Sequence, residues 1–195
     1  MRYDVPFRKQ ESSLECGPTA LQMASAFLGD EKGLEAIRDL LDFPDNAVYT
    51  IQLATTACEL GFKADFYTSD LQNEHDEEYY EENAKEISNE ELNSKARDVG
   101  VEIREKQLEL DELFDLLDED RIPIVLLDWN RIQDEEGYLG HFVVLTGYTE
   151  SKAIIHNPDS GEGDYVKINR EAFDEARKAE GTDQDVAVIK KKEGS

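Results

Sequence analysis

A cysteine stands at the start of an apolar helical pattern near the beginning of the chain, in the stretch "LECGPTALQMASAFLGD". Pro18 suits a first helical turn, apolar residues recur after it at helical spacing, and Gly29 can end the helix. The pattern predicts a helix over about residues 17–28, with Cys16 directly before it. The positive end of a helix dipole favours a thiolate, so Cys16 is a candidate nucleophile. The alternative is a small core residue.

The overall charge limits the possible partners. The 195 residues include 46 acidic and 21 basic side chains, which gives a formal net charge of -25. Nucleic acids and anionic membranes bind surfaces rich in lysine and arginine, so we expect neither as a partner. Such an acidic composition is typical of salt-adapted proteins and predicts a halophilic source, with an acidic-tailed protein of a mesophile as the alternative. No apolar run has the length of a signal peptide or a membrane span, which predicts a cytoplasmic protein, and we expect a monomer.

The order of the predicted elements indicates an α+β fold. Apolar spacing predicts three further helices and, in the last third, one short helix within a set of strands bounded by turn residues. We therefore expect a helical front half packed on an antiparallel sheet. The helices are predicted at about 33–42, 51–60, 110–118 and "REAFDEARKAE", and the strands at "KADFYT", "VEIRE", "IPIVLLDW", "HFVVLTGY", "KAIIHNP", "DYVKI" and "VAVIK".

The length and charge distribution predict a single domain over residues 1–195. A chain of this length can bury roughly 70% of its extended surface in one core. The segment at about 73–98 is crowded with acids and poor in branched apolar residues, so we interpret it as a solvated helical insertion. Partial disorder is the alternative for this segment.

A cysteine nucleophile needs a base, and the chain has three histidines. His75 lies in the acidic segment and is expected to be solvated. His141 begins the run "HFVVLTGY", where a polar ring at the mouth of a buried strand would face a cleft or be hydrogen-bonded for structural reasons. His156 and Asn157 are neighbours on the next predicted strand, so their side chains point to opposite faces and only one of them can meet His141.

A third side chain must orient the imidazole, and the stretch "HNPDSG" offers two. Asn157 lies at the end of the predicted strand, whereas Asp159 follows Pro158 into a turn, so Asn157 is the preferred candidate. Gln10, six residues before the cysteine, could direct its amide at a developing oxyanion or be an exposed polar side chain. Cys58 lies in an apolar helical pattern and is interpreted as a core residue. A disulfide bond between Cys58 and Cys16 is the alternative.

Taken together, these residues resemble the papain-like cysteine peptidase superfamily, and most closely its C39-like branch of leader-processing peptidases of bacteriocin exporters. The resemblance rests on "QESSLECGPTAL", "GHFVVLTGY" and "IIHNPDSG". It implies a papain-like fold with Cys16 as nucleophile, His141 as base, Asn157 as the orienting residue, and Gln10 with the Cys16 backbone N–H as oxyanion hole. A thiolate–imidazolium pair in such a site would be alkylated below pH 6.

Two features depart from these branches. The leader-processing branch usually has an acid where this chain has Asn157, and papain itself has a tryptophan where this chain has Gly17. Peptide specificity is therefore not carried over from either branch.

A second resemblance covers roughly residues 6–190. The segments "YTIQLATTACELGF", "HFVVLTGYTESKAIIHNPDSG" and "FDEARKAEGTDQDVAVI" are similar to the guanylyl cyclase-like domain family of plants and animals. The name of that family implies cyclisation of GTP. Such chemistry needs metal-binding carboxylates and positive groups for the triphosphate, and the sequence has no glycine-rich phosphate loop.

The function that these patterns favour is cysteine-dependent hydrolysis or transpeptidation of a peptide or isopeptide amide through an acyl-enzyme on Cys16. The expected partner is a peptide or protein substrate, and we expect no cofactor and no bound metal. The alternatives are a non-catalytic peptide- or protein-binding module on the same scaffold and a nucleotide cyclase.

The net charge makes a prediction about salt. Acidic side chains repel one another in the folded protein, and added salt screens this repulsion. We expect the melting temperature to rise as KCl is raised from tens of millimolar towards molar concentration, measured by differential scanning calorimetry. A flat or falling melting temperature would contradict the halophilic interpretation.

Overall fold

The structure is a computed structural model that describes residues 1–41, 48–71, 88–159 and 161–192. These ranges contain helices and strands that alternate along the chain. The helices are α1 (Cys16–Phe27), α2 (Leu34–Leu41), α3 (Thr50–Glu59), α4 (Asn89–Asp98), α5 (Leu110–Asp115), α6 (Trp129–Gln133) and α7 (Arg170–Arg177). The strands are β1 (Lys63–Thr68), β2 (Glu102–Glu105), β3 (Arg121–Asp128), β4 (Gly140–Tyr148), β5 (Lys152–His156), β6 (Val166–Asn169) and β7 (Val186–Lys190).

All described strands belong to one sheet in the order β2-β1-β7-β3-β4-β5-β6. Neighbouring strands are antiparallel, except that β1 and β2 are parallel. Helix α1 packs on β3 and β4, while α3 packs on β1 and β7. The central strands β3 and β7 are almost continuously buried, which explains why their sequences are apolar without strict alternation.

A close contact fixes where α1 begins relative to the sheet. A Cβ atom on Gly17 would lie 3.2 Å from the Phe142 ring of β4 and 3.3 Å from the Leu53 side chain of α3. These distances are shorter than ordinary packing contacts, so a side chain at residue 17 would require Phe142 or Leu53 to shift by a few tenths of an ångström. Glycine at this position therefore lets the first turn of α1 lie directly against the start of β4.

The predicted α+β fold is confirmed, and two details of the prediction are wrong. Strand β1 comes from the front half of the chain but joins the same sheet as the later strands, because it pairs with the last strand, β7, and its other neighbour, β2, is parallel to it. A partly buried ion pair between Asp65 and Lys190, with 2.6 Å between Oδ1 and Nζ, joins β1 to β7. Pairing between strands so distant in sequence leaves no local pattern.

The second difference concerns Trp129, which the sequence placed in a strand. The strand ends one residue earlier because the Asp128 carboxylate accepts the backbone N–H of Asn130, at 3.2 Å, and caps the short helix α6. Trp129 is therefore the first residue of a helix and leaves the sheet. Helix α6 was not among the predicted elements.

The acidic segment predicted at about 73–98 lies partly outside the described residues. From residue 88 onward it is helical, since α4 begins after a capping box in which Ser88 and Glu91 exchange hydrogen bonds. The division of the chain into one domain stays a prediction. Among the described helices, none combines the length and apolar character that crossing a membrane would require.

Asp185, just before β7, generates a prediction about pH and stability. The side chain is buried, no hydrogen bond from the described residues reaches its Oδ1, and burial raises its pKa to about 8. In the unfolded chain the pKa is about 3.9. Between these values the folded state holds a proton that the unfolded state releases, so the Asp185 carboxyl lowers stability progressively as pH rises from about 4 to about 8.

We expect Asp185→Asn to gain stability relative to wild type as pH rises through this window, by an amount on the order of a few kcal/mol. Urea unfolding at several pH values measures the difference. Asp98→Asn removes the same charge from an exposed position and corrects for the change in net charge. A stability difference that does not vary with pH would show that Asp185 is ionised in the folded protein.

Candidate active site

Cys16 is the first residue of α1 and lies partly buried where this helix meets β4. Its thiol is close enough to the backbone of Phe142 to form a hydrogen bond. Since Phe142 directly follows His141, the two candidate catalytic residues lie on adjoining segments of α1 and β4. Both Cys16 and Cys58 are free thiols, so the bridge that the sequence left open is not formed.

His141 and Asn157 are in direct contact. The His141 Nε2 atom lies 2.8 Å from Asn157 Oδ1, and both side chains are buried, with 7% and 5% of their surface exposed. The Asp159 backbone N–H donates to the same Asn157 oxygen at 3.0 Å, which requires that the oxygen, not the NH₂ group, faces the imidazole. Nε2 must then carry the proton, because an amide oxygen only accepts. In the neutral ring, Nδ1 is left as the basic nitrogen.

The main chain holds Asn157 at this position. Residue 157 follows β5, and its backbone N–H donates to the Gly163 carbonyl at 2.8 Å across the loop. Of the two side chains that the sequence offered as orienting residues, Asn157 touches His141, while the Asp159 carboxylate faces Gln10. The sequence "AIIHNP" predicted that Asn157 lies at the end of a strand, and in the structure Asn157 directly follows β5.

The structure adds Trp129 and Asp128, which the sequence analysis missed as part of the site. The Trp129 indole packs against the His141 ring with centroids 5.2 Å apart. The buried Asp128 carboxylate fixes the indole by capping α6 and by accepting the Leu139 N–H at 3.0 Å. The sequence did contain a signal for these two residues. Aspartate is a common helix-capping residue, and here it stands directly before an aromatic residue at the end of a predicted strand.

Gln10 is also brought to the loop after β5. Its side chain is buried, its backbone N–H donates to the Pro158 carbonyl at 2.9 Å, and its Nε2 donates to Asp159 Oδ1 at 2.9 Å. The turn between Gln10 and Cys16 is closed by the Glu15 carboxylate, which accepts the N–H groups of residues 11 and 12. The alternative of an exposed Gln10 is therefore wrong.

The other predicted groups lie outside this cluster. Both ring nitrogens of His156 are engaged, Nε2 with the Val5 carbonyl at 2.8 Å and Nδ1 with the Tyr165 N–H at 3.0 Å. His156 thus holds the N-terminal segment and the loop before β6 in place. His75 lies outside the described residues. Cys58 is partly buried against the core.

The comparison with protein families gives one match, which covers residues 5–189 and is described as guanylylate cyclase. The chain belongs to this family. The described residues contain no cluster of three histidine, cysteine, aspartate or glutamate side chains that could hold a metal ion. No curated protein matches the sequence.

Solved structures similar to this family member are peptidase domains. The peptidase domain of Streptococcus ComA, a bifunctional ABC transporter of a quorum-sensing pathway, is 15% identical with a TM-score of 0.60 and covers 97% of this chain and 100% of its own. A structure from Bacillus anthracis solved as a C39-like peptidase is 17% identical with a TM-score of 0.63, covering 97% and 96%. At these identities the likeness shows the fold, which is that of papain-like C39 peptidase domains.

A third similar structure is a double-glycine-motif protease of an AMS/PCAT transporter in complex with a leader peptide. It is 21% identical with a TM-score of 0.56 and covers 97% of this chain and 94% of its own.

Burial controls the protonation of the Cys16–His141 cluster. It raises the pKa of the Cys16 thiol, an effect that nearby backbone groups oppose, and the negative charge of Asp159 raises this pKa further. Burial also lowers the pKa of His141, although the hydrogen bond to Asn157 and the charge of Asp159 act in the opposite direction. Both shifts favour a neutral thiol beside a neutral imidazole. They oppose the resting thiolate–imidazolium pair expected from the sequence.

This protonation state predicts the pH dependence of thiol labelling. In a Cys58→Ala variant, Cys16 is the only thiol, and we expect its alkylation by iodoacetamide to be slow below pH 6. The rate should rise with pH to a half-maximum above about 8.5, the ordinary thiol pKa, because the thiolate is the reacting species. Mass spectrometry of the labelled peptide measures the rate. Fast labelling that persists below pH 6 would show that the ion pair exists at rest.

Proposed function

We propose that the protein is a cysteine-dependent hydrolase or transpeptidase that cleaves a peptide or isopeptide amide through an acyl-enzyme on Cys16. The observation that carries the proposal is the 2.8 Å contact between His141 Nε2 and Asn157 Oδ1. It presents Nδ1 as the basic nitrogen of a histidine whose neighbour in sequence, Phe142, contacts the thiol. His156, whose two ring nitrogens both hydrogen-bond to the backbone, has no nitrogen left to act as a base.

The first step would join the Cys16 sulfur to the carbonyl carbon of the substrate while His141 Nδ1 takes the thiol proton. The carbonyl oxygen becomes an oxyanion, which the Cys16 backbone N–H and the Gln10 Nε2–H would stabilise. The carbon–nitrogen bond then breaks, and the imidazolium gives its proton to the leaving amine. An acyl-enzyme remains on the sulfur.

In the second half of the reaction, water or a second amine would attack the acyl-enzyme, and His141 would take its proton. Collapse of this intermediate returns the proton to sulfur and releases an acid or a new amide. Asn157 would hold the Nε2–H throughout both steps, and Trp129 would shield this hydrogen bond from water. A neutral resting pair suits this scheme, because a neutral His141 can act as the base.

Two observations support a peptide as the substrate. The fold is that of peptidase domains, and one neighbour of this fold has been solved with a leader peptide bound. The same scaffold could hold a peptide without cleaving it, and the raised pKa of Cys16 favours this second candidate. An unreactive thiol together with peptide binding would support the binding module.

Nucleotide cyclisation is a third candidate, favoured by the description of the family. Incubation of the purified protein with GTP and Mg²⁺ or Mn²⁺, followed by chromatography for cyclic GMP, tests it directly. Formation of cyclic GMP that survives Cys16→Ala would place a separate activity on this chain. We further propose that the protein is monomeric, cytoplasmic and adapted to salt.

The orienting role of Asn157 can be tested by substitution. We expect Asn157→Ala to lower turnover of a fluorogenic peptide, or labelling by a peptide vinyl sulfone, at least about tenfold, which corresponds to about 1.4 kcal/mol of lost positioning. Asn157→Asp should retain more activity than Asn157→Ala, because its carboxylate also accepts the Nε2–H. His141→Ala should remove activity to the level of Cys16→Ala. Equal activity of wild type and Asn157→Ala would remove Asn157 from the mechanism.

A further inference from the structure

The oxyanion-hole candidate Gln10 is hydrogen-bonded to a carboxylate. Its Nε2 donates to Asp159 Oδ1 at 2.9 Å, and its backbone N–H donates to the neighbouring Pro158 carbonyl, also at 2.9 Å. The backbone N–H of Asp159 in turn donates to Asn157 Oδ1. One short loop therefore contacts both the group that would stabilise the oxyanion and the group that orients His141.

The negative charge of Asp159 reaches both reacting groups. It raises the pKa of the Cys16 thiol and also raises the pKa of His141, the directions expected of a nearby carboxylate. Asp164, another acid of the same loop, instead acts on His156 and Tyr165. Among the acids of this loop, Asp159 is thus the one whose charge acts on both Cys16 and His141.

This position is unfavourable for an oxyanion unless a cation is present. The tetrahedral intermediate places a negative charge beside Gln10 Nε2, while the same nitrogen already bonds a carboxylate. The two negative charges would repel each other across one amide group, that of the buried Gln10 side chain. A cation that pairs with the Asp159 carboxylate would remove that repulsion.

The protein itself does not supply this cation within the ranges that the structure describes. No lysine or arginine side chain in those ranges lies within ion-pair distance of Asp159, whose side chain is exposed. Arg8, two residues before Gln10, pairs with Glu31, and Arg38 pairs with Glu11 and Glu15. Lys9 is exposed, and its Nζ lies 3.8 Å from the position of a Cβ on Gly161.

We propose that Asp159 is a specificity-determining residue that selects substrates with a positively charged side chain or amino group next to the scissile amide. The inference rests on the proposed thiol chemistry and adds a substrate class to it. The substrate cation pairs with the exposed Asp159 carboxylate and neutralises the charge beside the thiol. The Gln10 Nε2–H can then donate a hydrogen bond to the oxyanion without this repulsion. A substrate with a neutral group at that position meets the uncompensated carboxylate and reacts slowly.

Two matched peptide vinyl sulfones test the proposal, one with lysine and one with norleucine next to the warhead. The Cys16 sulfur adds to the alkene carbon that is bonded to the peptide residue, and the thiol proton goes to the carbon beside the sulfone, so no other reactant is needed. We expect the lysine probe to label Cys16 of the wild type at least tenfold faster than the norleucine probe. The preference should shrink in molar KCl, since salt screens the attraction.

The variant Asp159→Asn keeps an oxygen that can accept from Gln10 but removes the charge. It should reduce the lysine preference to within about twofold, chiefly because the norleucine probe reacts faster. Asp164→Asn is the matched control in the same loop and should keep the full preference, as should Lys9→Ala. A preference that Asp159→Asn leaves intact would overturn the proposal.

Failure of the proposed function gives a different result. If His141→Ala abolishes labelling but the wild type treats both probes alike, thiol catalysis stands and the role of Asp159 is wrong. If Cys16 reacts with neither probe, or reacts equally in wild type and His141→Ala, the proposed function fails and the specificity proposal fails with it.

Discussion

The contact between the start of α1 and the start of β4 determines the geometry of the whole site. Gly17 has no side chain, and the ring of Phe142 together with Leu53 fills the space where a Cβ would lie. Because backbone and ring approach so closely, the Cys16 thiol lies within hydrogen-bonding reach of the Phe142 backbone, directly after His141 in the chain. A larger residue at position 17 would require Phe142 or Leu53 to shift, and this shift would disturb the packing beside Cys16.

The loop after β5 connects the remaining parts of the site. Asn157 accepts from His141, Asp159 accepts from Gln10, and the Pro158 carbonyl accepts the Gln10 backbone N–H. Three consecutive residues thus determine the tautomer of His141, the position of the Gln10 amide and the charge beside the Cys16 thiol. A small movement of this loop would change all three properties together.

Burial affects the pKa values of Cys16, His141 and Asp185 more strongly than the large net charge does. The surface carries most of the acids, where water and salt screen them. His141 and Asp185 are buried and Cys16 is partly buried, and for each of them desolvation is the largest cause of the pKa shift and favours the neutral form. In a protein with a net charge of -25, local burial thus decides the direction in which these pKa values shift.

The sequence by itself determined the local elements and the identity of the central residues. Helical spacing placed α1 and α3, runs of β-branched residues placed β1, β3, β4, β5 and β7, and the order of Gln10, Cys16, His141 and Asn157 indicated the fold. These features depend on residues that are close in the chain or on a motif. The pairing of β1 with β7, the indole of Trp129 on His141, and the bond from Gln10 to Asp159 were decided by the tertiary structure alone. Each joins segments brought together by packing of the core, and neither residue of such a pair carries a local signal of its partner.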